Sequence, residues 1–335
     1  MTAGATRPAG PVPGRLNEPF RLAGLRVWVA GHRGMVGQAL MRRLAREECE
    51  IVTVDRQTLD LRRQRETEEW MAANRPDVIF LAAATVGGIY ANDTRPAEFL
   101  YDNLLIEANV IDAARRCGVK KLLALGSSCI YPREAPQPMH EEALLTGPLE
   151  PTNQWYALAK ISALKLCQAY RRQFDVDFIS AMPTNLYGPG DKFDLSASHV
   201  IPALLRKTHE AAQRGEPTVT VWGTGQPRRE FLHADDCADG VVHLMCHYSG
   251  EDHINVGTGS DVTIRELADL IGKTVGYRGT FVYDESRPDG APQKRLDVTR
   301  LDALGWRAKI DLETGLRETY DWYKTKDEGG RMKDE

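Results

Sequence analysis

The chain has 335 residues, 42% of them hydrophobic and 27% charged, with a formal net charge of −4. That length supports a substantial core in one large domain or a two-lobed unit, and the balance of charge argues against a polyanion-binding surface, so no nucleic-acid partner is expected. Six cysteines (Cys49, Cys117, Cys129, Cys167, Cys237 and Cys246) lack CxxC spacing; they signal no metal site and no disulfide scaffold, which fits a reducing cytoplasm.

The first two dozen residues are rich in Pro, Gly and Ala and carry no apolar signal-peptide core, so residues 1–24 read as a flexible tail. Leu25 to Ala30 reads as a short apolar strand. It runs into Gly31-His32-Arg33-Gly34-Met35-Val36-Gly37, and the apolar positions Ala39, Leu40 and Leu44 then take helical spacing. Strand, glycine loop and helix in this order suit a dinucleotide, because the glycines let backbone approach pyrophosphate and the helix N-terminus offers unpaired N–H donors.

A second strand, Glu50 to Val54, ends at Asp55, where a carboxylate meets adenosine ribose hydroxyls and favours NAD(H). Arg33 and Arg56 make the opposite demand, since either is able to clasp a 2′-phosphate. Val78 to Ala84 reads as a buried strand ending in small residues. Helical patterns follow at Ala97 to Cys117 and at Asn153 to Phe174, with an apolar strand, Lys121 to Leu125, between them.

That strand delivers Gly126-Ser127-Ser128-Cys129-Ile130-Tyr131-Pro132, in which a serine can hydrogen-bond a substrate oxygen, although serines here also serve simply as turn residues. Tyr156 and Lys160 stand four apart on the second helix, hence on one face. An ammonium beside a phenol lowers the phenol's pKa and readies it for proton exchange near neutrality. Strands and helices alternate up to Ser180, which implies an α/β fold with a parallel sheet covered on both faces. Beyond Met182 the pattern turns irregular, with more Gly and Pro, and a smaller C-terminal lobe is expected there. The division reads as 25–187 for the dinucleotide-binding domain, 188–323 mainly for the substrate lobe with about 227–262 returning to the large domain, and 324–335 as a loose tail. No stretch is long and apolar enough to span a bilayer.

The segments GHRGMVG (31–37), VGGI (86–89), GSSCIYP (126–132), LEPTN (149–153), PTNLYGPGD (183–191), SHVIPALL (198–205), REFLH (229–233) and INVGTG (254–259) stand in one order along nearly the whole chain. In that order they resemble the extended short-chain dehydrogenases/reductases, and within them the enzymes that epimerise and reduce GDP-4-keto sugars. The resemblance implies a Rossmann-type doubly wound sheet with a smaller substrate lobe. It implies a reductase triad of Ser127, Tyr156 and Lys160, and an epimerisation pair of Cys129 and His199. Cofactor contacts would fall on Gly31 to Gly37, Asp55, Arg56, Leu125, Gly126, Lys160, Pro183, Asn185 and Leu186. Nucleotide-sugar contacts would fall on Lys207, Trp222, Arg229, Asp289 and Lys294.

The reaction so implied is 3,5-epimerisation of GDP-4-keto-6-deoxy-mannose or a close GDP-sugar, followed by NADPH-dependent reduction of the ketone, in a homodimer. NADP(H) is favoured by resemblance and NAD(H) stands as the alternative because of Asp55. Two other functions compete: an epimerase that retains NAD with no net redox change, and a dinucleotide-binding sensor without turnover. Members of the family usually carry a lysine at the position of Thr85, an asparagine at Lys192, and an arginine at Lys207 and at Gln293, so the sugar pocket departs from the common pattern.

Overall fold

The computed structural model describes residues 12–195, 198–287 and 289–328. Strands β1 (Arg26–Ala30), β2 (Glu50–Val52), β3 (Val78–Leu81), β4 (Lys121–Leu125) and β5 (Asp177–Pro183) alternate with helices α1 (Met35–Leu44), α2 (Gln64–Asn74), α3 (Ile89–Thr94), α4 (Pro96–Arg116) and α5 (Gln154–Phe174). The later chain carries strands β6 (Asn185–Tyr187), β7 (Thr218–Trp222), β8 (Arg228–Arg229), β9 (Phe231–His233), β10 (Ile254–Val256), β11 (Val262–Thr263), β12 (Thr280–Asp284) and β13 (Gln293–Lys294). Its helices are α6 (Val200–Arg214), α7 (Ala234–His247), α8 (Ile264–Val275), α9 (Thr299–Ala303) and α10 (Leu312–Glu328).

Six strands form one parallel sheet in the order β10-β5-β4-β3-β1-β2. The side-chain period of two along β1 sorts its residues between two cores: Val27 and Val29 pack with α1 and α7 residues such as Leu40 and Val241, while Trp28 and Ala30 pack with Met71, Val110 and Ile111 on the other face. A sheet buried on both faces explains why its strands read as continuous apolar runs. A third cluster, including Leu204, Leu205, Leu267, Ile271 and Leu316, joins α6, α8 and α10 around the small parallel pair β7 and β12.

Element ends differ from the sequence reading by one to three residues. β2 stops at Val52 and β3 at Leu81 because their partner β1 ends its pairing there. Pro96 opens α4, where its missing N–H costs nothing. The expected N-terminal tail is the larger difference. Residues 1–11 lie outside the described residues, but Val12 and Leu22 are buried, Leu16 and Phe20 donate backbone bonds to His247 and Cys246 carbonyls, and Arg15 bridges Tyr248. Scattered apolar residues in a Pro/Gly-rich segment suffice here because α7 supplies carbonyls at its end. At the C-terminus α10 runs on through Lys324 to Glu328, and residues 329–335 lie outside the described residues.

Candidate active site

The glycine loop connects β1 to α1 by a path that side chains would block. Gly31 has φ 89°, and a Cβ there would sit 2.7 Å from the Ala83 backbone just past β3. A Cβ on Gly37 would collide with the Gly31 carbonyl oxygen, so loop and helix touch backbone to backbone. Gly34 is the N-cap of α1 and brings no side chain to the first N–H groups, and the first turn holds no acid. These unclaimed donors and the bare loop fit the pyrophosphate of a dinucleotide.

At the end of β2, Asp55 Oδ1 lies 3.3 Å from both Arg33 Nη1 and His32 Nε2. The two residues read as making opposite demands on one ribose are thus each other's partners. Arg56 is exposed beside them. Met35 and Val36 are half-buried against the core under the loop. Across the sheet, Gly126 donates its N–H to Ala181 O at 2.9 Å and lies against Met182, which sets Leu125 and Gly126 beside the end of β5 at Pro183. Asn185 and Leu186 follow on β6, with Asn185 Nδ2 donating to Glu230 O at 2.8 Å.

Ser127, Cys129, Tyr156 and Lys160 come together at the mouth of β4. Ser127 Oγ accepts the Cys129 N–H at 3.4 Å and caps the short helical turn Ser128–Ile130. Lys160 is buried on α5; its Nζ lies 5.6 Å from the Tyr156 ring centre, donates to Leu125 O at 2.8 Å and to Glu107 Oε1 at 2.6 Å. The expected lowering of the phenol pKa is not what this site does. Burial pushes Tyr156 up to about 12; Lys160 works against that rise, and Cys129 and Glu107 add to it. Burial is the main cause, and Glu107 on α4, absent from the helix-face argument, adds to it while it answers the ammonium. Burial opposes the Lys160 ammonium, yet Glu107, with Tyr156 and Cys129, outweighs it and the lysine pKa is raised.

Cys129 is buried, and burial raises its thiol pKa against the pull of Ser127, Lys294 and Lys160. It is therefore a thiol, not the near-neutral titrating group that residue type alone suggests. Lys294 on β13 is in register with Arg229 on β8, which sets two cations side by side beyond Cys129. Burial lowers both of their pKa values. Arg229 Nη2 reaches Asp289 O at 3.4 Å, and the Asp289 carboxylate accepts from Thr224 N and Oγ1, each at 2.8 Å. Trp222, 56% exposed at the end of β7, lies between Lys207 Nζ at 5.4 Å and the Arg287 guanidinium at 5.0 Å from its ring centre. An exposed indole flanked by cations can stack on a base or sugar face. His199 is the N-cap residue of α6. Desolvation by the protein around it, then the Lys192 charge, holds its pKa below the ordinary histidine value.

Three polar residues escaped the sequence reading because their partners are remote. Glu107 meets Lys160 from 53 positions away, and Asn103 holds the loop after β3 by accepting from Thr85 N at 2.8 Å and donating to Thr85 O at 3.0 Å. Glu230 is fully buried beside Arg229: one oxygen accepts from Thr258 N at 2.6 Å and Gly259 N at 2.8 Å, the other from Leu296 N at 2.7 Å. The one available signal was for Glu107, a charged residue beside the apolar positions Ile106, Val110 and Ile111 of its helix. Among the described residues no cluster of His, Cys, Asp or Glu has the makings of a metal site.

Residues 27–257 match the family model described as the NAD dependent epimerase/dehydratase family. The chain belongs to that family. Within it, the chain is 57% identical over 302 residues to a GDP-L-fucose synthase of Sinorhizobium fredii, covering 90% of this chain and 96% of that protein. It is 55% identical over 308 residues to GDP-L-fucose synthase of Escherichia coli, covering 89% and 96%. A solved structure of a GDP-L-fucose synthetase from Naegleria fowleri bound to NADP superposes with a TM-score of 0.87 at 27% identity, covering 95% of this chain and 99% of that one. The family's parallel sheet with helices on both faces is the architecture described above, and the glycine loop, Tyr156 and Lys160 all fall inside the matched span.

Proposed function

We propose that the chain is a bifunctional GDP-sugar enzyme that epimerises GDP-4-keto-6-deoxy-mannose at the carbons flanking the ketone and then reduces the ketone with NADPH. The observation that carries this reading is Cys129, a buried thiol that shares a loop with Ser127 and feels Tyr156, Lys160 and Lys294. A redox-neutral epimerase needs the phenol and the cofactor; it has no use for a second proton-transfer group beside them. The names of the similar proteins, GDP-L-fucose synthases over about nine-tenths of the chain, support the same reaction.

Bound NADPH would supply hydride to the carbonyl carbon. Ser127 would hold the ketone oxygen and Tyr156 would protonate it, while Lys160 would fix the phenol and the cofactor ribose. For epimerisation, the resting set is a protonated thiol at Cys129 and a neutral imidazole at His199. One donor and one acceptor are what proton exchange on opposite faces of a carbon requires. Arg229 and Lys294 would clasp the diphosphate and Trp222 would stack on the nucleotide or sugar, with Lys207 and Asp289 completing the pocket. Residues 188–323 would then serve mainly as the substrate lobe, with 227–262 returning to the large domain.

NADP(H) is the cofactor in this reading. Asp55 is already engaged by Arg33 and His32 on an exposed surface, so a 2′-phosphate can draw Arg33 to itself and Asp55 can turn to solvent. The NADP in the similar solved structure supports the same choice. A homodimer fits the apolar side chains that α4 and α5 leave uncovered: Tyr101 on α4, Trp155 and Leu158 on α5. The six free cysteines fit a cytoplasmic setting.

The test is incubation of purified protein with GDP-4-keto-6-deoxy-mannose and other GDP-sugars, with and without NADPH, and product identification by NMR. Reduced, epimerised sugar formed only with NADPH bears the reading out. Epimerised alcohol formed with NAD and no net oxidation would install the redox-neutral epimerase, and no product under any condition would leave the sensor.

A further inference from the structure

Among the buried groups that the reaction scheme leaves unused, Glu107 is the one aimed at the catalytic cluster. It projects from α4, is 3% exposed, and places Oε1 at 2.6 Å from Lys160 Nζ while Oε2 has no hydrogen-bond partner. A buried carboxylate with one idle oxygen is costly to keep, and as a mere fold-stabilising device it compares poorly with an apolar residue.

We propose that Glu107 is a positioning residue that acts through Lys160 to hold Tyr156 as a neutral phenol, which sets the site to give a proton to a ketone oxygen instead of taking one from an alcohol. The inference rests on the reductase reading above.

Two features of the geometry carry it. The first is donor count. An ammonium has three N–H groups; one goes to Glu107 and one to Leu125 O, so a single donor is left to face Tyr156 and a cofactor ribose. The second is net charge. With Glu107 ionised, the cluster of Glu107, Lys160 and neutral Tyr156 sums to zero, and ionising the phenol would leave a buried negative charge. Without the carboxylate the same cluster carries +1, and ionising the phenol would neutralise it. Among the described residues nothing else around the phenol reverses that count. Cys129 is an uncharged thiol, the Phe99 ring meets Tyr156 edge-on at 6.4 Å between centres, and Asp102 on α4 is spent on Arg62 at 3.0 Å. Lys294 bears on Cys129.

The proton balance follows. In reduction, the phenol O–H bond breaks as the ketone oxygen gains its proton, the carbonyl carbon takes up hydride as NADPH is oxidised to NADP⁺, and the phenolate is reprotonated from solvent. A site that begins by oxidising an alcohol needs the phenolate first, and Glu107 opposes that state.

The experiment titrates cofactor-free full-length protein labelled with 13C at the tyrosine ring, with the Tyr156 signal assigned by its loss in Tyr156→Phe. Wild-type Tyr156 should remain a phenol through about pH 9. In Glu107→Gln its titration should move down by about one pH unit or more, the size of shift that one nearby charge produces, while Glu107→Asp should stay close to wild type. The alkaline limb of kcat/KM for ketone reduction should move with it. Equal titration in wild type and Glu107→Gln overturns the inference, and so does wild-type Tyr156 ionising near pH 7, a result that decides even if the glutamine variant fails to fold. Failure of the reductase reading would look different: no reduced sugar from wild type, whatever the titration gives.

Discussion

Asp55 with Arg33 and Glu107 with Lys160 are both pairs of a carboxylate and a cation, in two settings. The first lies at 3.3 Å with its side chains 45% and 70% exposed; the second lies at 2.6 Å with both 4% exposed. In water the exposed pair gains little, is screened by salt, and gives way to any ligand that offers a better partner. The buried pair has no solvent to fall back on, so removal of either member strands the other. In the proposed reaction, discrimination between cofactors would therefore belong to the first contact, and control of the reacting proton to the second.

Substitutions at the two ends should differ in size and in kind. The largest effect is expected at Tyr156→Phe, which removes the transferable proton and little volume: redox turnover should fall by about 10²–10⁴-fold with dinucleotide affinity nearly unchanged, as stopped-flow hydride transfer and a cofactor titration would reveal. Lys160→Met should come next and should hurt twice, lowering turnover and weakening cofactor binding, because it also leaves Glu107 buried and unpaired. Normal cofactor affinity in that variant would deny Lys160 its ribose contact.

Cys129→Ser should have a selective effect. Solvent deuterium incorporation at the epimerised carbons should drop further than reduction of an already epimerised ketone, since a serine hydroxyl is the poorer proton-transfer group. Equal loss of both would assign Cys129 to positioning alone. The smallest change is expected at Asp55→Ala. Releasing Arg33 from its carboxylate should improve NADP(H) affinity by a few-fold, the scale of one exposed charge contact, and leave NAD(H) unimproved. If wild type prefers NAD(H) and the variant swings to NADP(H), the exposed contact is a ribose acceptor and the redox-neutral epimerase gains ground.

How much of this was legible in the sequence follows the same division. The glycine loop, the strand entering it and Asp55 could be read because each acts within a few residues of its neighbours. Tyr156 and Lys160 were legible as a pair because helical spacing puts them on one face. Their protonation was misread because burial, which helical spacing does not show, outweighs the ammonium, and a carboxylate on another helix adds to it. Glu107 looked like one more polar residue in an amphipathic pattern, and only the close packing of α4 on α5 turns it toward Lys160. Cys129 was found by its motif, yet the burial that keeps it a thiol, against the pull of a lysine more than 150 residues later, is a property of the folded chain. The short tail segment from Val12 to Leu22 was passed over because its composition suggests disorder, whereas what orders it is a set of carbonyls at the end of α7.

Glu230 has a consequence for protein engineering. Its carboxylate collects N–H groups from the loop after β10 and from the segment after β13, and its own carbonyl accepts from Thr184 and Asn185 at the β5–β6 junction. Four stretches of chain are thereby knotted at one residue next to Arg229. Sugar specificity could not be transplanted by grafting β7 and β12 alone, because a chimera that cuts any of those stretches would carry the pocket's side chains without the pin that keeps them in register.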